Sequence, residues 1–357
     1  MIKLLIVDDS ALMRRQLTTL FQAEGDFEIH LARNGDEAVR ENREFQPDVV
    51  TLDINMPEMD GLTALSLMMA ERPVSVVMVS SLTNEGALAT FEALNLGAVD
   101  YVAKPGGTIS LSIDRIMAEL IAKVRSAARS RPKGNLTTAG TVVRRMQEER
   151  KKAAAARSSV VRSRSDGDGL LLIGASTGGP RAVEIVLSGL PANFPWPVVV
   201  AQHMPAAFTR AFADRLNQCC ALEVKEASSA MPVESGKVYI GRGGADTLLA
   251  QRAGRLTVMA APENSNFLWH PSVELLGRTA LEHCDPKHLT AVLLTGMGYD
   301  GSDAFTEIKK RGGRTIAESE DSAVVYGMPA ELVAKGGASV ILAVEKMASQ
   351  LSIWASR

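Results

Sequence analysis

The chain has 357 residues, a formal net charge of -2, and 46% hydrophobic and 22% charged residues. This is ordinary globular composition with length enough for two cores, and the near-neutral balance gives no overall pull towards nucleic acid or an anionic membrane. No apolar stretch is long enough to span a bilayer, and three cysteines (Cys219, Cys220, Cys284) make no disulfide framework.

The N-terminal run MIKLLIVDDS meets two acids at once and does not read as a signal peptide. Together with the cysteine usage, this predicts a cytoplasmic protein without membrane insertion. Up to about residue 105, a short apolar run, a loop and a helix-like segment recur. The runs are KLLIVDD, FEIHLA, PDVVTLD, VSVVMVS and DYVAKP. Residues 11–23 and 85–96 carry apolar side chains at helical spacing, and residues 109–128 would close the unit as a helix. Strands alternating with helices predict a parallel sheet covered on both faces, here a flavodoxin-like doubly wound domain.

The character changes from Arg125 to Arg164, where 12 Lys/Arg face two acids, Glu148 and Glu149. With Pro132, Gly134, Gly140 and four consecutive alanines, the stretch reads as a basic flexible linker over residues 126–168. A patch for nucleic acid or acidic lipid is the alternative. Apolar strands resume with LLLIGAS, PVVVAQH, KVYIG, RLTVMA, LTAVLLTG, RTIAES and ASVIL, so residues 169–357 form a second doubly wound α/β domain.

In the first unit Asp8 and Asp9 end the first strand, Asp53 the third, Ser80 the fourth and Lys104 the fifth. A parallel sheet brings those ends to one edge, so three carboxylates and one ammonium converge. A hard divalent cation neutralises such a set, and magnesium suits an oxygen-only, partly hydrated site. One carboxylate can then attack a phosphoryl donor, with Lys104 holding the oxygens and Ser80 bonding the new phosphate. The plain alternative is that Asp9 or Ser10 caps the next helix and the other acids are solvated.

VDDS, LDINMPEMDG, MVSS and GAVDYVAKP resemble response-regulator receiver domains over residues 1–125. The resemblance implies that Asp53 is phosphorylated, and that Asp8, Asp9, Asp53 and the carbonyl of Asn55 bind Mg2+. Ser80, Tyr101 and Lys104 would relay the change.

In the second unit Gly174-Ala175-Ser176-Thr177-Gly178 fits G-x-S-x-G, a serine on a tight strand-to-helix turn, with the N–H of Thr177 facing the same pocket. A dinucleotide site is the competing reading of a glycine-rich turn. The spacing is not G-x-G-x-x-G, however, and the next strand ends in Gln202 and His203, where a ribose-binding acid should stand. Asp300 lies just beyond a third strand end. Serine, histidine and aspartate on one edge meet the need for nucleophile, general base and orienting acid. A second assignment keeps Ser176 and uses Asp246 and His270, which no strand end places. His30, His283 and His288 have no such partners in the sequence.

GASTGGP, QHMP, LLTGMGYDG and VVYGMP resemble the catalytic domain of chemotaxis receptor protein-glutamate methylesterases, which also deamidate glutamine. That resemblance implies Ser176 as nucleophile, His203 as general base, Asp300 as its partner, and the N–H groups of Thr177 and Met297 as oxyanion hole. It further implies a methyl-accepting chemoreceptor's cytoplasmic helices as substrate and a sensor histidine kinase as phosphodonor. The ester reaction itself is expected to need no cofactor. Two departures fall where substrate contacts are expected. Asp246 replaces the family's usual histidine after Gly243 and Gly244, and NSNFLWHPS lacks the usual basic residues. A DNA-binding output would need a reader helix that this strand-rich half does not offer. The intact Ser-His-Asp set argues against a module that has lost catalysis.

Overall fold

The structure is a computed structural model and describes residues 1–80, 83–104, 110–129 and 169–356. The chain divides into two compact units. Residues 126–129 continue the last helix of the first unit; the rest of the expected basic linker lies outside the described residues.

The first unit alternates β1 (Ile2–Val7), α1 (Ala11–Glu24), β2 (Phe27–Ala32), α2 (Gly35–Glu44), β3 (Val49–Asp53), α3 (Gly61–Glu71), β4 (Ser75–Ser80), α4 (Asn84–Leu96), β5 (Asp100–Ala103) and α5 (Ser110–Arg129). Its strands are all parallel in the order β2-β1-β3-β4-β5, the flavodoxin-like arrangement expected. Leu4, Leu5 and Ile6 are successive and all fully buried, because helices cover both faces of the sheet. Side-chain caps set the helix starts. Ser10 accepts from the N–H of Met13, Asn34 from Glu37 and Asp60 from Thr63.

The second unit is built on β6 (Leu170–Ala175), α6 (Gly179–Ser188), β7 (Val198–Gln202), α7 (Ala206–Cys219), β8 (Glu223–Ala227), β9 (Met231–Pro232), β10 (Lys237–Gly241), β11 (Asp246–Arg252), β12 (Arg255–Ala261), α8 (Val273–His283), β13 (Leu289–Leu293), α9 (Ser302–Lys310), β14 (Arg314–Glu318), α10 (Met328–Ala334), β15 (Val340–Leu342) and α11 (Val344–Ala355). Seven strands form a parallel sheet in the order β15-β14-β13-β6-β7-β10-β8. Its middle strands β13, β6 and β7 are buried throughout, and Leu172, Val199, Ala291 and Leu293 join Phe305 and Leu276 in one core. Full burial of each larger aliphatic side chain contributes about 1.5–3 kcal/mol.

A separate antiparallel sheet, β11-β12-β9, also forms. Strands β8, β9 and β11 are additions to the sequence reading. The short β8, EVKEA, is charged because it lies at the sheet edge and pairs on one side only. Among the described residues no helix is long and apolar enough to cross a membrane.

Candidate active site

Strands β13, β6 and β7 are neighbours in the sheet; Ser176 and His203 directly follow β6 and β7, and Asp300 lies in the segment between β13 and α9. Ala175 pairs with Gln202, so Ser176 and His203 are the next residues on adjacent strands. The link is direct: the N–H of His203 donates to the carbonyl of Ala175 at 3.0 Å. Gln202 Nε2 donates to the carbonyls of both Ser176 and His203, at 2.9 and 3.1 Å. The turn after Ser176 requires Gly178, which has φ +75° and whose Cβ would stand 2.6 Å from that of Val324. Gly296 is also required, because a Cβ there would lie 2.6 Å from the Cβ of Ser176. This close approach brings the segment carrying Met297 against the serine.

His203 Nε2 lies 2.8 Å from Asp300 Oδ2, and both side chains are largely buried. A carboxylate can only accept, so Nε2 donates and Nδ1 carries the free lone pair. Neither Nδ1 nor Ser176 Oγ has a hydrogen-bond partner among the described residues. Asp300 is held from its other side by the start of α8. It accepts from the N–H groups of Val273 (2.7 Å) and Glu274 (3.0 Å) and from Ser272 Oγ (3.0 Å). Burial by itself would raise the Asp300 carboxyl. The hydrogen bond and charge of His203, with the two backbone donors, outweigh it and hold the group below its ordinary range.

Sequence reasoning missed Thr295 and Glu318. The carbonyl of Thr295 accepts from the N–H of Ser176 at 3.0 Å, and its hydroxyl donates to the carbonyl of Thr177 at 2.9 Å. The buried Glu318, last residue of β14, accepts from the N–H of Thr295 at 2.8 Å and from Ser322 Oγ at 2.9 Å. Its place at a strand end was the available signal. Among the described residues the N–H groups of Thr177 and Met297 have no acceptor.

The second assignment also forms a pair, although no end of the central sheet places it: His270 Nδ1 lies 2.9 Å from Asp246 Oδ1. Trp269 beside it stacks on the His203 ring, centroids 5.7 Å apart and planes 6° apart. Exposed Tyr299 meets the edge of Trp269 at 5.3 Å. His30 likewise has a partner that the sequence did not suggest, Glu41 at 3.3 Å.

In the first unit Lys104 Nζ lies 2.9 Å from Asp8 Oδ2 and 2.7 Å from Asp53 Oδ2. Asp8, Asp9 and Asp53 each offer a carboxylate oxygen within 4.8 Å of the others, a donor set that fits a hard divalent cation. Burial pushes the Asp53 carboxyl up and outweighs the pull of Lys104. Burial would lower Lys104, but its bonds to Asp53 and Asp8 lift it above its ordinary value. Exposed Asn55 follows two residues after Asp53, and its N–H reaches Asp53 Oδ1 at 3.4 Å. Buried Ser80 donates to the carbonyl of Gly86 at 3.2 Å. Tyr101 is buried with its ring edge-on to Phe91 and stands within β5, short of the strand ends.

Residues 171–351 match the family CheB methylesterase, and residues 4–113 match the response regulator receiver domain. The chain is 52% identical to a protein-glutamate methylesterase/protein-glutamine glutaminase of Rhodospirillum rubrum, across 100% of this chain and 97% of that protein. The chain belongs to the CheB methylesterase family. A second relative of the same name, from Rhodopseudomonas palustris, is 51% identical over 99% of this chain and 98% of its own length. The crystal structure of the CheB methylesterase catalytic domain of Thermotoga maritima covers 52% of this chain and 98% of its own, at 36% identity and a TM-score of 0.50. Membership accounts for both halves: a receiver precedes a parallel-sheet domain that carries Ser176, His203 and Asp300 on one edge.

Proposed function

We propose that the chain is a phosphorylation-controlled protein-glutamate methylesterase and protein-glutamine glutaminase, with Ser176, His203 and Asp300 as its catalytic set. The observation that carries this reading is the 2.8 Å pair of His203, directly after β7, and Asp300, in the segment after β13; these strands flank β6, which Ser176 follows. His203 Nδ1, the nitrogen facing away from Asp300, takes the Ser176 proton as Oγ attacks the ester carbonyl. Catalytic hydrogen bonds of this kind commonly tighten only when substrate binds. The N–H groups of Thr177 and Met297 hold the tetrahedral oxyanion. The imidazolium returns its proton to the leaving group, which departs as methanol from an ester or ammonia from an amide. Water, deprotonated by Nδ1, then attacks the acyl-serine; glutamate is released and Oγ regains a proton. Asp300 stays ionised throughout and holds the imidazole in one tautomer. The pairing of Ala175 with Gln202 supports His203 over His270 as the base, because it sets His203 beside Ser176.

The substrate is the cytoplasmic helical region of a methyl-accepting chemoreceptor, and the location is the cytoplasm. Residues 1–129 act as receiver, with α5 closing it at Arg129, 130–168 as basic linker and 169–357 as catalytic domain. A sensor histidine kinase supplies the phosphoryl group to Asp53. Asp8, Asp9, Asp53 and the carbonyl of Asn55 would hold Mg2+, which supplies charge neutralisation during phosphoryl transfer. Lys104 holds a phosphoryl oxygen, and Ser80 and Tyr101 relay the change. Ester hydrolysis uses only this chain's own groups.

The test is to incubate the protein with a methyl-esterified chemoreceptor cytoplasmic fragment, with and without acetyl phosphate and Mg2+. Methanol release that rises on phosphorylation is expected, with ammonia release from a glutamine-bearing fragment. No methanol under either condition would refute the reading.

A further inference from the structure

The proposed reaction does not use the second histidine–carboxylate pair. The Asp246 carboxylate, 1% exposed, collects three donors from a single loop. Its Oδ2 accepts from the N–H of Asn264 at 2.7 Å, and its Oδ1 from His270 Nδ1 at 2.9 Å and the N–H of Ser272 at 3.0 Å. Asp246 is itself fixed as the first residue of β11, in register with Ala261 of β12. A hairpin therefore grips both ends of the stretch 264–272. The two residues of that stretch nearest the proposed catalytic set are Trp269, stacked on His203, and Ser272, whose Oγ donates to Asp300 Oδ1 at 3.0 Å. Trp269 also packs on Gly298, where a Cβ would stand 2.8 Å from its ring.

We infer that Asp246 is a positioning residue for ester hydrolysis: it clamps the loop 264–272 so that Trp269 lies flat on His203 and Ser272 stays on Asp300. The inference rests on the assignment of His203 and Asp300 given above. The bond from Nε2 to Asp300 fixes one point of the imidazole but leaves its plane free to tilt. A parallel aromatic ring removes that freedom and shields one face from water. A carboxylate suits the clamp because all three of its partners are N–H donors. A misplacement on the order of 1 Å at a reacting group can cost about a hundredfold in rate.

The test measures kcat and KM for methanol release from a methyl-esterified chemoreceptor cytoplasmic fragment, with thermal unfolding in parallel. It uses the full-length chain and its D246A, D246N, W269A, D246A/W269A and H203A variants. D246A and W269A should each lower kcat about ten- to a hundredfold. D246N should recover much of the loss, since its Oδ1 still accepts from His270 and Ser272. The double variant should fall within about twofold of D246A, because a released loop has already lost the stack. A role in stability alone would lower the melting temperature and leave kcat per folded molecule untouched. Wild-type kcat in folded D246A and W269A, with H203A inactive, overturns the inference and leaves the base assignment standing. If D246A fails to fold, wild-type kcat in both D246N and W269A overturns it in the same way. An active H203A removes the base and overturns both.

Discussion

Asp300 ties His203 to the first turn of α8: one carboxylate accepts His203 Nε2 at 2.8 Å and the N–H groups of Val273 and Glu274 at 2.7 and 3.0 Å. The bonds that fix its orientation are those that complete the helix start, so catalysis and folding share one group. Asp300→Asn should lower kcat by about three to four orders of magnitude, as loss of an orienting acid does elsewhere. Asp300→Ala should also lose about 1–3 kcal/mol of stability, because buried donors are left unpaired. Rate assays and denaturant titrations of the two variants check this. An Ala variant as stable as the Asn variant would contradict the shared role.

Glu318 orders the serine turn through Thr295. Glu318→Leu strands the buried N–H of Thr295, at a cost of about 1–3 kcal/mol, while the Ser322 hydroxyl keeps the Ser319 carbonyl and the N–H of Val344 as partners. Glu318→Gln keeps an acceptor and should stay close to wild type. Differential scanning calorimetry should give a melting temperature lower by about 2 °C or more for the Leu variant alone. Equal effects of Leu and Gln would argue against the hydrogen-bond account.

Magnesium binding should weaken on acidification sooner than an ordinary aspartate would dictate. The metal needs ionised carboxylates. Burial raises the Asp53 carboxyl against the opposing pull of Lys104, so Asp53 takes up its proton at a higher pH than an ordinary aspartate does. Mg2+ affinity should therefore fall as pH drops towards that raised value, and removal of Mg2+ with EDTA should stop phosphorylation by acetyl phosphate. Calorimetric titration from neutral pH down through the ordinary carboxylate range reads the slope. A flat affinity across that window would contradict the raised carboxyl.

Asp53→Asn should leave the full-length enzyme at its unphosphorylated rate and unresponsive to acetyl phosphate. Methanol release from the receptor fragment measures both. A variant still stimulated by acetyl phosphate and Mg2+ would place the phosphorylated residue elsewhere.

Both sheets were legible in the sequence because their strands are buried on two faces. Runs such as KLLIV and LTAVLL have no polar partner to alternate with, and turns punctuate them. Strand ends then pointed to one edge of each sheet: Asp8, Asp53, Lys104, Ser176 and His203 stand at strand ends, and Asp300 in the segment that follows β13. Strand β8 escaped because its charged residues interrupt the apolar run, as they do on an edge strand, and β11, DTLLAQR, because its short apolar stretch lies between polar ends and has no alternation. The Asp246–His270 pair was read only as an alternative to His203 and Asp300, for a different reason. It depends on a loop folding back on a hairpin, and no local pattern encodes that return. Glu318 could have been found by the strand-end logic that found Asp53, since it also ends an apolar run.

The most direct measurement is methanol release from the methyl-esterified receptor fragment by S176A, H203A and H270A beside the wild-type protein. Nucleophile and base act as one unit, so S176A and H203A should each lose about five to six orders of magnitude in kcat while unfolding cooperatively like wild type. H270A, which loosens the loop only, should keep at least about one hundredth of the rate. Wild-type turnover by S176A, or an inactive H270A beside an active H203A, would contradict the account.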